Sequence, residues 1–511
     1  MQVKNRVMPC PKICPQDKTD SGSNADRKSE TPYEKLMQSL HNDPKWLEEV
    51  SLDRRVGLYK FRGELGSGNF SQVKLAVHQL TNERVAIKIV DKGKLDEKTM
   101  RMLNQEISTM ETVYHPNLIR LYEVVETYSK LYLVMEFASG GELYNKVVTT
   151  GKLDELVARQ LFAQICSAVD HMHSKSIIHR DIKAENVFFS GPNKVKIGDF
   201  GLSAQLTEGP NQLLSTICGS PPYAAPELFC EETYIGGPVD VWALGILLYF
   251  MVVGRRPFRG QNVPSLKKSI LSGLYKLPSH LSRECADLID GILKQKPSER
   301  LTISQILSSD WLKGIQLPSA PEASQSFTLA PTILKYSPDG TELQLPDIEQ
   351  TARQRLSELG ISSQLLASQS CQGSRSHVIG CYRIIVHRIQ KQLGVFLDRD
   401  GHLTSEHQWP RQQEKIPDKK FVVANFCQTK QGSEDFFSNC WRRKPSSDDE
   451  CEAKGKKDSK DKDRLSLGEG ECLQKEARVS LFRQLQTHSA AVKGGPENTV
   501  PVLRSSTCVI L

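Results

Sequence analysis

The stretch from His179 to Gly201, HRDIKAENVFFSGPNKVKIGDFG, restricts what this chain can fold into more than any other. A polar loop carrying an acid and an amide leads into a short apolar strand, then into a second acid beside Phe and Gly. Such a layout suits a site that holds two divalent cations and orients a hydroxyl. Asp181 is placed to accept or orient the proton of an attacking hydroxyl, while Asn186 and Asp199 offer the oxygen ligands that hard Mg2+ prefers. Phosphoryl transfer needs this arrangement, because its transition state is chiefly a problem of charge neutralisation and alignment.

Upstream, YKFRGELGSGNFSQVKLAVHQ and ERVAIKIVDK alternate as strands do. Within the first runs Leu65, Gly66, Ser67, Gly68, Asn69, Phe70, Ser71, Gln72 and Val73. The glycines let backbone N–H groups approach phosphate oxygens with no Cβ in the way, although glycines also serve simple hairpin turns. A helical stretch from Lys94 follows. Further on, the apolar run Val241 to Gly254 is shorter than the ~18 residues of a membrane span and reads as a buried helix.

Taken in order, the glycine loop, Val85-Ala86-Ile87-Lys88, HRDIKAEN, DFG and Ala225-Pro226-Glu227 resemble the signature of the eukaryotic protein kinases. Within these, HRDIKAEN, LSTICGSPPYAAPE and the strand and hinge Leu131 to Glu142, LYLVMEFASGGE, resemble the family related to AMP-activated protein kinase. The resemblance covers Tyr59 to roughly Lys313, with Ser71 standing where a third glycine is usual. It implies an α+β, bilobal protein kinase fold, with a β-rich N-terminal lobe and a helical C-terminal lobe. ATP with Mg2+ would lie between them, and the γ-phosphate would pass to Ser or Thr of protein substrates.

The same resemblance assigns roles. Lys88 would meet the α- and β-phosphates, with Glu106 as its partner carboxylate. Met135 would gate the back of the adenine pocket, and backbone groups of Glu136 and Ala138 would meet the adenine edge. Lys183, two residues after Asp181, resembles the Ser/Thr-specific subgroup. Glu142 and Glu185 would favour an Arg or Lys before the phosphorylated residue, the plainer alternative being two exposed acids. Thr216 stands at the activating phosphothreonine, a target for an upstream kinase, with Arg180 as the phosphate clamp. Ser220 would support Asp181, Asp240 would tie down the catalytic loop, and Glu227 with Arg300 would form a buried ion pair.

Outside 59–313 the composition changes. Residues 1–58 read as a mostly disordered extension, although Leu36, Leu40 and Trp46 suit a short helix on the catalytic unit. A linker spans 314–346. Three amphipathic runs over 347–392 resemble the ubiquitin-associated-like three-helix module of this family, with autoregulation, plain packing and ubiquitin binding as its alternative roles. The mixed-charge stretch 393–511 reads as a largely disordered tail. It ends in Cys508-Val509-Ile510-Leu511, the prenylation pattern, which suggests reversible membrane association.

With 67 Lys and Arg against 60 Asp and Glu, the excess of +7 is too mild and diffuse to argue for nucleic acid. Thirteen scattered cysteines and no apolar segment after Met1 point to a reducing, cytoplasmic setting. Two rivals remain: a pseudokinase scaffold, against which intact Lys88, Asp181, Asn186 and Asp199 weigh, and a membrane-tethered adaptor built on the C-terminal half.

Overall fold

Segments with a period of two between Arg55 and Glu136 assemble into one antiparallel sheet. In the computed structural model, which describes residues 30–68, 71–315 and 347–393 and the backbone of 396–397 and 403–404, the strand order is β1-β2-β3-β4-β6-β5. These strands are β1 (Arg55–Val56), β2 (Tyr59–Ser67), β3 (Ser71–His78), β4 (Arg84–Asp91), β5 (Leu121–Glu126) and β6 (Lys130–Glu136). The pleat decides what each face meets. In β4, Val85 and Ile87 are fully buried on one face, so Ala86 and Lys88 project from the other. Beneath that second face lies the helix Glu97–Thr112, whose Leu103, Ile107 and Met110 share a core with Val90.

The expectation of disorder over 1–58 is corrected for residues 30–58. Thr31 and Glu34 form a reciprocal capping box at the start of α1 (Pro32–Asn42), and Asp43 both ends that helix and caps α2 (Pro44–Ser51). One expected helix becomes two because Pro44 has no N–H with which to continue α1. Leu36 and Leu40 pack on a cluster built mostly by the helices after residue 347, with Leu80 of the catalytic unit among its members, while Trp46 of α2 stacks under the Arg55 guanidinium at 3.6 Å. The sheet accordingly begins at Arg55, ahead of the expected start at Tyr59. Counted in chain order, Glu97–Thr112 is α3.

The second lobe is mainly helical, with α4 (Leu143–Thr150), α5 (Glu155–Ser174), α6 (Glu227–Cys230), α7 (Gly236–Val253), α8 (Val263–Ser272), α9 (Arg283–Ile292) and α10 (Ile303–Leu307). Short strands β7 (Ile177–Ile178), β8 (Val187–Gly191), β9 (Lys194–Ile197), β10 (Ala204–Gln205), β11 (Leu213–Leu214) and β12 (Tyr234–Ile235) line its upper surface. Helix α7 is apolar all round and correspondingly buried all round. It is the one described helix apolar enough to cross a membrane, and here it is core. Near its start, Arg300 grips Glu227 through two parallel bonds of 2.7 and 2.6 Å. Its remaining donors go to the carbonyls of Lys294, Gln295 and Pro238. With every donor met, this buried charge pair is tolerable.

Beyond the second lobe, the linker expected at 314–346 lies outside the described residues from 316 on. Then come α11 (Asp347–Glu358), α12 (Ser363–Gln369) and α13 (His377–Leu393). Tyr382, Ile385 and Ile389 of α13 pack with Ala352 and Leu356 of α11 and Leu366 of α12. On its other side, Ile384 joins Val85, Ile87, Tyr122 and Val134 of the sheet. Helix α13 therefore serves two cores and covers the edge strand β5, whose open backbone would otherwise invite pairing. Past residue 393, inside the stretch expected to be largely disordered, the pair β13 (Phe396–Leu397) and β14 (Leu403–Thr404) is described.

Candidate active site

Lys88 projects from β4 into the space between the lobes because its neighbours Ile87 and Ile89 belong to the opposite face. Its Nζ lies 2.6 and 2.9 Å from the two Glu106 oxygens of α3, and 3.6 Å from Asp199 Oδ1. Burial disfavours the ammonium, but the carboxylates of Glu106 and Asp199 outweigh it and hold the Lys88 pKa above the ordinary lysine value. Burial likewise pushes Asp199 up, yet Lys88, Lys183 and His179 together bring it below the usual carboxylate value. Asp199 therefore stays ionised at neutral pH.

The loop before β8 is held from below. Asp240 of α7, nearly inaccessible, accepts the backbone N–H of His179 at 2.9 Å and of Arg180 at 2.8 Å. Arg180 and Asp199 both adopt left-handed backbone, with φ of 64° and 59°. For residues with a Cβ this is strained, and it persists only where the surroundings over-determine it. Asp181 is fixed at both oxygens: Oδ1 accepts from Ser220 Oγ at 2.8 Å, and Oδ2 lies 2.8 Å from Lys183 Nζ and 3.1 Å from Asn186 Nδ2. Lys183 also reaches Ser220 Oγ at 2.9 Å.

Strands β8 and β9 form a hairpin with Val187 opposite Ile197, which carries Asn186 and Asp199 at its two ends. Gly198 N donates to Asn186 O at 2.9 Å, and the His179 ring lies 3.3 Å from Gly198 O and 5.5 Å, centroid to centroid, from Phe200. The Asn186 NH2 is committed to Asp181, which leaves its side-chain oxygen as an acceptor. No group of three His, Cys, Asp or Glu converges anywhere among the described residues. One carboxylate and one amide oxygen are too few for a protein-only cage, but they fit Mg2+, which keeps most of its shell for phosphate and water.

Gly66 and Ser67 end β2 opposite Val73 and Gln72, next to Leu65, and Gly68 N donates to Ser71 O at 2.7 Å. The hairpin thus closes without a third glycine at Ser71. Asn69 and Phe70, and also Cys508, lie outside the described residues. Met135 on β6 sits opposite Ala86 and Leu121 and packs against the core that runs through both lobes. Ala138 does the same from the connection to α4. The Glu136 N–H donates to Arg120 O at 2.9 Å, so an adenine contact at this residue falls to its carbonyl. Its buried side chain lies 3.0 Å from Lys196 Nζ and 3.3 Å from His387 Nε2 of α13. Burial, only partly offset by Glu136, brings Lys196 down to about 8.

Thr216 is exposed. Arg180 does not reach it directly: its guanidinium donates to Leu202 O at 2.6 Å and lies 3.5 Å from Tyr234 Oη, which donates to Thr216 O at 2.8 Å. Glu142 opens α4, and its backbone bridges Phe188 beside the catalytic loop. Glu185, expected to await a substrate, is already engaged by Arg256 at 3.1 Å. Sequence reasoning missed Arg256, His387 and Lys196. Their partners lie far away along the chain, and only the doubled arginine in GRRPF hinted at the first.

Residues 59–312 match the family described as the protein kinase domain. Serine/threonine-protein kinase SIK2 of Gallus gallus is 37% identical over 359 residues, covering 70% of this chain and 43% of that protein. The serine/threonine-protein kinase SIK3 homolog of Danio rerio is 46% identical over 259 residues, covering 51% of this chain and 22% of that protein. The chain spans less than half the length of these curated relatives. Carrying this domain and these relatives, the chain belongs to the serine/threonine protein kinases of the AMP-activated protein kinase-related family.

Proposed function

We propose that this chain transfers the γ-phosphate of ATP to Ser or Thr hydroxyls of proteins. The observation that carries the reading is Lys88, held between Glu106 and Asp199, in the same cleft as an Asp181 whose two oxygens are both oriented. Mg2+ bound with the nucleotide would neutralise phosphate charge, with Asn186 and Asp199 as its protein ligands. Lys88 meets the phosphates as a fixed ammonium, and Lys183 supplies a second positive charge beside Asp181. Asp181 orients the acceptor hydroxyl and takes up its proton. Met135 and Ala138 border the adenine region.

The test compares Mg-ATP-dependent phosphate transfer to a mixed protein substrate by the wild type and by Asp199→Asn. Transfer that drops by about two orders of magnitude or more supports the reading. Equal transfer by both proteins refutes it and favours a scaffold.

Phosphorylation of Thr216 by an upstream kinase would order the segment between β11 and β12, since two added charges near Arg180 and Tyr234 can be met there. Glu142, beside the catalytic loop, supports a preference for substrates with a basic residue near the acceptor. The helices α11 to α13 resemble a ubiquitin-associated-like module in a regulatory role, supported by the contact of His387 with Glu136 at the hinge. A cytoplasmic setting fits the free thiols Cys166, Cys218, Cys230, Cys285, Cys371 and Cys381.

A further inference from the structure

Arg256 follows helix α7 and lies where a basic residue of the substrate would meet Glu185. Its Nη2 is 3.1 Å from Glu185 Oε1, and its guanidinium sits over the Tyr223 ring, 5.2 Å from the centroid. Tyr223 closes the arrangement. Its hydroxyl lies 3.5 Å from the other Glu185 oxygen and accepts from Ala184 N at 3.3 Å. Three segments meet here: the turn that carries Asn186, the loop just after Ser220, and the exit of α7. Tyr144 of α4, two residues past Glu142, also lies within electrostatic reach of Arg256. Both partners keep about a third of their side-chain surface open, 29% for Arg256 and 30% for Glu185. A peptide arriving at Asp181 can therefore contend for this pair.

We propose that Arg256 is a specificity-determining residue that occupies Glu185 as an internal counter-ion and withholds it from the substrate. A substrate arginine gains Glu185 only by displacing Arg256. The preference for a basic residue is thereby muted, because the new ion pair forms at the expense of an old one of the same kind. An ion pair this exposed is a modest barrier, and its removal is worth about five-fold in discrimination. Arg255 and Arg259, both exposed beside it, act in the same direction by repelling a second cation. The inference rests on the kinase reading above.

The test uses serine peptides in which one arginine is moved along the residues upstream of the acceptor, each paired with an alanine twin. The readout is the ratio of kcat/KM for the arginine peptide to that for its twin. In Arg256→Met and in Arg256→Gln this ratio is expected to rise about five-fold at one arginine position, and to fall back when Glu185→Gln is added. Arg256→Lys is expected to keep the wild-type ratio. Loss of a merely structural staple would slow both twins alike and leave the ratio unmoved. An unchanged ratio in either folded variant that still transfers phosphate overturns the proposal alone. A wild type that phosphorylates neither twin overturns the kinase reading, and this proposal with it.

Discussion

Gly380 of α13 lies so close to Glu123 of β5 that a Cβ at position 380 would come within 2.8 Å of the carboxylate Oε2 and 3.1 Å of the Glu123 Cβ. The carboxylate has little room to retreat, because Glu123 is buried and Oε2 accepts from Tyr59 Oη at 2.5 Å. Gly380→Val is therefore expected to push α13 off the edge strand, at a cost of about 1–3 kcal/mol for overpacking a filled site. Thermal unfolding would show a lowered midpoint. Limited proteolysis would show cleavage over 347–393 before the lobes are cut, and an unaltered digestion pattern would count against tight docking.

Glu123 also carries a pH signature. Burial raises its pKa to about 7, with the Tyr59 hydrogen bond offsetting only part of the effect, against an ordinary value of 4.5. Between these values the folded protein binds more protons than the unfolded one, so stability falls as pH rises from 4.5 to about 7. Above that the cost is fully present, about 3 kcal/mol. Glu123→Gln should remove this component. Denaturant titrations at pH 5.5 and about pH 8 would then differ less in the variant than in the wild type.

Arg300 and Glu227 are 1% and 2% exposed at their side chains. Arg300→Leu leaves the Glu227 carboxylate buried without its counter-ion, and breaking such a pair costs about 3–5 kcal/mol. A large drop in the urea midpoint is expected. Whatever fraction remains folded should retain phosphate transfer, since neither residue approaches Asp181.

For Thr216 the expectation concerns activity rather than stability. Its side chain is exposed and its carbonyl alone is anchored, through Tyr234. Thr216→Ala should leave the melting midpoint within about 0.5 kcal/mol of the wild type. After treatment with an activating kinase, phosphate transfer should be lower by roughly ten-fold or more. Equal activity of treated wild type and variant would argue that this loop needs no phosphate.

The short-range parts of the site were legible from residue order. Asp181, Lys183 and Asn186 fall within one turn of chain, and Asn186 and Asp199 are joined by a hairpin whose apolar alternation shows in the letters VFFSGPNKVKI. Lys88 was visible because a strand pattern fixes which face a residue takes. The resemblance to a known signature did the rest for Glu106, since no local rule pairs a strand lysine with a helix acid 18 residues later. Residues 30–58 were misjudged. Their apolar residues are sparse, and they order because α1 packs Tyr33, Leu36 and Leu40 on a cluster built mostly by the helices after residue 347, while Trp46 of α2 lies under Arg55.

By itself the sequence determined the chemistry of the cleft: which oxygens and ammonium groups are available, and that the loop and hairpin must deliver them side by side. Local backbone geometry suffices for that, because neighbours in the chain have few ways to be placed. Only the tertiary structure decided that Arg256 claims Glu185, that His387 and Lys196 converge on Glu136, and that α13 lies on β5 with no side chain at Gly380. Each of those contacts joins segments that meet only when whole lobes pack, and its energy depends on burial that no stretch of sequence specifies alone.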